Sequence, residues 1–131
     1  VGIQHPRQSG PLATLELANG EAIGTSGDYQ RFFELDDKRY PHLLDPRTGY
    51  PASHTQAVTI LIPAGPKAGT LSDAGSKPIF IAGPEAWRQL AQQQQIEFVL
   101  RIDESGQIEV TEKMAARLKF TASKPALIVV P

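Results

Sequence analysis

Apolar and polar positions change their period several times along this chain, and each change marks an element. Val1–Ile3 reads as the end of a strand, followed by a loop over His5-Pro6-Arg7-Gln8-Ser9-Gly10-Pro11. Leu12-Ala13-Thr14-Leu15-Glu16-Leu17 alternates, which predicts a half-buried strand. Asn19-Gly20 is a tight-turn dipeptide and predicts a hairpin, with Glu21-Ala22-Ile23 as the return strand. Gly24-Thr25-Ser26-Gly27-Asp28 then reads as a polar, turn-forming segment. Tyr29–Leu35 alternates loosely, as a further strand would, and Asp36-Asp37 makes a turn. Lys38-Arg39-Tyr40 leads into Pro41–Pro51, where three prolines and a glycine exclude a continuous helix and leave a long polar loop.

Ala57–Pro63 is an apolar run of strand length. Pro66 suits a helix start, and the helix is expected from about Lys67 to Lys77, ending before Pro78. Ile79–Ala82 continues apolar. Gly83-Pro84 restarts a helix over residues 84–95, with Ala86, Trp87, Leu90 and Ala91 on one face and Gln92–Gln95 as an exposed last turn. Ile96–Ile102 reads as a strand, Asp103–Gly106 as a turn and Gln107–Thr111 as its hairpin partner. Glu112–Leu118 reads as a short helix and Leu127–Val130 as a last strand. Hairpins combined with two main helices predict an α+β fold with a mostly antiparallel sheet, in a single domain over residues 1–131.

Composition narrows the function. A chain of 131 residues, 40% hydrophobic and 21% charged, can bury a core without staples. A net charge of -1 provides no basic field for nucleic acid or anionic lipid. No apolar run approaches the ~18 residues of a membrane-spanning helix. The absence of cysteine excludes disulfides, thiolate catalysis and Cys-ligated metals. The chain opens at Val1 with no basic-then-apolar leader, so a segment upstream is expected to have been lost.

Three clusters carry candidate chemistry. Thr25-Ser26-Gly27-Asp28 can aim hydroxyls and backbone N–H groups at a phosphate or polar ring edge, although an ordinary turn is the plainer reading. His42 can take a proton near neutral pH, and Arg47 beside Asp45 and Thr48 can grip a phosphate, although Asp-Pro and Thr-Gly also simply turn a chain. Asp73 and Lys77 share a helix face, so Asp73 is either a Mg²⁺ ligand or half of an exposed ion pair. His5 and His54 lack metal-ligand spacing, and Trp87 reads as core. Lys113, Arg117, Lys119 and Lys124 form a mildly basic end, read as a solvated face.

Order and spacing add what the single clusters lack. Gly24-Thr25-Ser26-Gly27-Asp28-Tyr29-Gln30-Arg31-Phe32-Phe33, then Tyr40-Pro41-His42-Leu43-Leu44-Asp45-Pro46-Arg47-Thr48-Gly49-Tyr50-Pro51, resembles the FAD:protein FMN transferase family. That family shows a T-S-G-D-Y/F-x-R-x-F block and an H-x-x-D-P-R/K-T-G-x-P block. A strand, an A-D-A-L-S-T helix and a G-P-E-type segment follow, matched here by Val58–Ile62, Leu71–Lys77 and Gly83-Pro84-Glu85. Val1–Pro6 resembles the family's segment just upstream.

The resemblance implies the second half of a T-fold-like transferase. It implies FAD as substrate, Mg²⁺ as metal, and transfer of FMN to a Ser or Thr hydroxyl of a partner protein with release of AMP. His42 would be the base, Thr25, Ser26 and Asp28 would line the flavin site, Arg47 and Thr48 would position the dinucleotide, and Asp73 would bind the metal. The implied partner is a flavin-acceptor protein of a membrane electron-transfer complex, and the implied location is the bacterial periplasm or cell envelope. Much of the flavin pocket and one metal ligand come from the family's upstream half, so exposed apolar surface is expected to receive that half or a second copy. Two positions depart from the pattern: Lys77 replaces a small hydroxyl residue that helps bind metal, and Gly75 replaces leucine. The alternative is a non-catalytic half-length relative that binds flavin or a partner.

Overall fold

In the computed structural model, which describes residues 1–121 and 125–131, the elements follow in the order β1 (Gly2–Gln4), β2 (Pro11–Thr14), β3 (Ala22–Gly27), β4 (Phe32–Leu35), β5 (Lys38–Pro41), β6 (Thr55–Ile62), α1 (Ala68–Gln93), β7 (Phe98–Asp103), β8 (Ile108–Thr111), α2 (Glu112–Arg117), β9 (Lys119–Phe120) and β10 (Leu127–Val130). Five strands form the main sheet in the order β10-β8-β7-β6-β3. Its pairs are antiparallel except β10 with β8. A second sheet, β1-β2-β9, and the separate hairpin β4-β5 complete the strands.

The apolar run of β6 explains the layering. A strand presents alternate residues to opposite faces, so a continuous apolar strand needs cover on both. Val58 and Ile60 pack under α1 with Ile79, Phe80, Trp87 and Val99. Ala57 and Leu61 face the other way, against Ile3 and Leu15 from the small sheet's side and Met114 from α2. The main sheet is therefore a filling between α1 and the small sheet with α2, and the α+β expectation holds.

Three local expectations are corrected. Ala18–Glu21 does turn, with the Glu21 N–H donating to the Ala18 carbonyl at 3.1 Å and Gly20 at φ 82°. It does not close a hairpin, because β2 pairs with β1 and β9 while β3 pairs with β6. Gly24–Gly27 is strand rather than turn. A Cβ on Gly24 would meet the Ser72 carbonyl oxygen at 2.1 Å, so glycine lets this edge strand lie directly on α1. The helix also does not stop before Pro78. Proline removes one backbone bond, but Ile79 and Phe80, both fully buried, hold the next turn against β6. The break falls at Gly83 (φ 76°, ψ -175°), where only glycine is at ease and Pro84 disfavours helix for its predecessor. The two expected helices are thus two segments of α1.

The basic end is a solvated face at Lys113 and Lys119, with Arg117 half-buried, and all three are paired. Lys113 pairs with Glu97, Arg117 with Glu21 and Lys119 with Glu16; Lys124 lies outside the described residues.

Candidate active site

Strand β3 carries the first cluster, and its alternation splits the two hydroxyls. Thr25 lies opposite Thr59 in the ladder, and their Oγ1 atoms are 2.9 Å apart. Ser26 faces α1, is buried, and sits 2.8 Å from the Oγ of Ser76. Ser76 Oγ also donates to the Asp73 carbonyl at 3.1 Å, which leaves the Ser26 hydroxyl as the donor between the serines. Ser26 is therefore coupled to the helical turn that holds Asp73, while Thr25 points to the opposite face of the sheet.

Asp28 ends this strand. Its buried carboxylate accepts both arms of the Arg7 guanidinium, at 2.7 and 2.6 Å, and Arg39 stands 4.0 Å away. The hydrogen bond to Asp28 pushes the Arg7 pKa up. Asp28 is a strut that fastens the loop after β1 to the end of β3.

His42 follows β5 directly. Its backbone N–H and its ring Nδ1 both lie 3.1 Å from the Arg31 carbonyl oxygen. A carbonyl oxygen only accepts, so Nδ1 carries the proton and the Nε2 lone pair is left to take one. The ring is exposed. Buried Leu43 and Ala52 pin the two ends of the following loop into the core under α1, joined by Ala52 N–H to Leu43 carbonyl at 2.9 Å.

Inside that loop the Asp-Pro-Arg-Thr-Gly segment is a tight turn. The Asp45 carbonyl accepts from Gly49 N–H at 2.8 Å, and Gly49 has φ 74°. The Asp45 carboxylate accepts from the Arg47 backbone N–H (2.9 Å), Nε (2.9 Å) and Nη2 (2.7 Å), and this pairing holds its pKa below the usual carboxylate range. Thr48 Oγ1 accepts from Tyr50 N–H at 3.2 Å, a turn-stabilising role. Arg47 Nη2 reaches within 3.4 Å of the Ile81 carbonyl, so the turn leans on α1. Between turn and helix runs an open groove of about 640 Å³, with Asp45 and Arg47 on one side and Ala74, Lys77, Ile81 and Leu90 on the other.

A family model described as the ApbE family matches residues 1–100. The chain belongs to the ApbE family. It is 38% identical over 119 residues to a FAD:protein FMN transferase of Rhodobacter capsulatus, covering 91% of this chain and 22% of that protein. It is 31% identical over 127 residues to that of Haemophilus influenzae, covering 95% of this chain and 35% of that protein. Among solved structures, the ApbE protein of Thermotoga maritima superposes with a TM-score of 0.77 at 35% identity, over 89% of this chain and 37% of that one. The flavinyl transferase ApbE of Pseudomonas stutzeri gives 0.58 at 32% identity, over 80% and 32%. The chain thus spans well under half the length of the relatives it matches.

The Mg²⁺ expected at Asp73 does not fit the donors of this ApbE-family chain. The Asp73 carboxylate is exposed and bound to the Lys77 ammonium at 2.6 Å, and that ammonium also donates to the Asp73 carbonyl at 2.9 Å. An ammonium offers only protons. Among the described residues no group of three His, Cys, Asp or Glu side chains gathers around any point.

Two contributors escaped the sequence. Ser76 sits in plain view three residues after Asp73, but its importance arises from Ser26, 50 residues away. Arg7 gave no local signal, since its partner is 21 residues on.

Proposed function

We propose that this chain supplies the proton acceptor and part of the dinucleotide site for transfer of FMN from FAD to a Ser or Thr hydroxyl of a partner protein. The acceptor oxygen attacks the FMN-side phosphorus, the bond to the AMP phosphate breaks, AMP leaves, and the hydroxyl proton passes to His42 Nε2. Nothing in the step requires an oxidant or reductant. In-line phosphoryl chemistry asks the protein mainly for proton removal, positioning and charge compensation.

The observation that carries this reading is the Nδ1 contact of His42 with the Arg31 carbonyl. It fixes the tautomer and leaves the basic nitrogen on an exposed ring at the mouth of the Asp45–Tyr50 loop. Arg47 supplies a fixed positive charge, Thr48 stabilises its turn through Tyr50 N–H, and Ser26 braces the helical turn of Asp73 through Ser76. The relatives of Rhodobacter capsulatus and Haemophilus influenzae are FAD:protein FMN transferases, which supports this chemistry. Their additional length is where the rest of a dinucleotide pocket would be built. By the same resemblance, the acceptor is a subunit of a membrane electron-transfer complex, met in the bacterial periplasm or cell envelope.

The test is flavin transfer to an acceptor peptide carrying the target hydroxyl, followed by mass spectrometry, in the full chain and its His42→Ala variant. A mass gain of FMN in the parent, absent in the variant while FAD binding persists, is the expected result. FAD retention with no transfer by the parent would instead select the binding-only reading.

A further inference from the structure

The mismatch at Asp73 has a chemical complement in the groove beside it. Mg²⁺ binds through carboxylate, water and phosphate oxygens and needs an unshared anionic ligand. Here the Asp73 carboxylate already faces a cation tethered four residues along the same helix, at 2.6 Å. A divalent ion on that oxygen would sit beside the ammonium and be repelled by it. Lys77 meanwhile lines the groove that Arg47 borders from the opposite side. Lys77 thus brings to the groove wall a compact point charge of the kind proteins use on phosphates.

We propose that Lys77 stands in for the divalent cation, so that the diphosphate of the dinucleotide is held by the Lys77 ammonium with Arg47 across the groove. This rests on the flavin-transfer reading above. Asp73 then orients the ammonium between ligands. Its pair with Lys77 is an exposed surface ion pair, and such pairs are weak enough to yield to a phosphate. Gly75 belongs to the same departure. A side chain there would press on Ile96 (2.8 Å) and Ile60 (3.1 Å), so this helix packs closer to β6 than one bearing leucine would.

The experiment measures FAD affinity by flavin fluorescence in EDTA and in Mg²⁺, and Mn²⁺ binding by electron paramagnetic resonance, on the full chain and its Lys77→Thr, Lys77→Arg and Asp73→Asn variants. The parent is expected to bind FAD within twofold in the two buffers and to bind no Mn²⁺ at Asp73. Lys77→Thr should lose at least tenfold in EDTA, recover in Mg²⁺ and bind Mn²⁺ only when FAD is present to add phosphate oxygens to Asp73; Lys77→Arg should stay close to the parent. A tenfold loss by the parent in EDTA, or parental Mn²⁺ binding abolished by Asp73→Asn, would overturn the proposal. Pyrophosphate separates it from the flavin reading. If the parent binds no FAD but binds pyrophosphate in EDTA, and Lys77→Thr does not, only the flavin reading falls; if it binds neither, both fall.

Discussion

The hydroxyl oxygens of Ser26 and Ser76 lie 2.8 Å apart, and this buried contact joins the edge strand β3 to helix α1. Each serine replaced by alanine should cost about 1 kcal/mol, and the double variant little more than one of them, because both singles break the same bond. Urea titration of the four proteins measures the coupling. Additive losses would mean that the contact contributes nothing as a pair.

Beside it, Gly24→Ala should be far worse. The added carbon meets a backbone carbonyl at 2.1 Å, an obstacle that cannot rotate away. A loss of about 3 kcal/mol is expected, read as a lower urea midpoint. A loss under half of that would show that β3 shifts off the helix at little cost.

Helix α1 gives a pair of opposite expectations. Pro78→Ala restores a backbone donor inside a continuous helical segment and should stabilise by about 1–2 kcal/mol. Gly83→Ala forces a side chain into backbone at φ 76°, ψ -175° and should destabilise by about 1–3 kcal/mol. Equal effects of the same sign would misplace the break.

Acid should weaken the chain through Glu21. Its hydrogen bond to Arg117, aided by the Ala18 N–H, holds its pKa down to about 2 against an ordinary 4.5. Folding therefore favours the ionised form. The stabilisation is fully present above pH 4.5 and is lost as pH falls towards 2. Urea midpoints recorded from pH 6 downwards should fall through that window, and Glu21→Gln should flatten the fall.

Arg7→Ala should strand the buried Asp28 carboxylate. Two charge-assisted hydrogen bonds disappear, and about 2 kcal/mol of stability should go with them. Arg7→Ala with Asp28→Asn should recover part of it. Failure to recover would place the loss in packing of the arginine stem.

Local signals served well where an element is set by its own residues. The apolar run at residues 57–63, the Asp36-Asp37 turn with φ 51° and 57°, and the hairpin from β7 to β8 were all legible. They failed where a distant partner decides. Gly24–Gly27 has turn composition, yet its glycines serve close approach to α1 and its hydroxyls pair with Thr59 and Ser76. Pro78 looks like a stop, yet burial of the next two residues outweighs one lost hydrogen bond. At the site, the histidine and the Asp45–Arg47 turn were visible as residue types, whereas the tautomer of His42 depends on a carbonyl 11 residues upstream.

The double cover on β6 has a consequence for handling the protein. Thr55–Ile62 is an uncharged, proline-free segment rich in β-branched residues, and seven of its eight positions are buried. Such a segment, once released from both layers, stacks readily with its own kind into cross-β assemblies. Heating should therefore lead to precipitation that outruns refolding, and the apparent melting temperature should climb with scan rate.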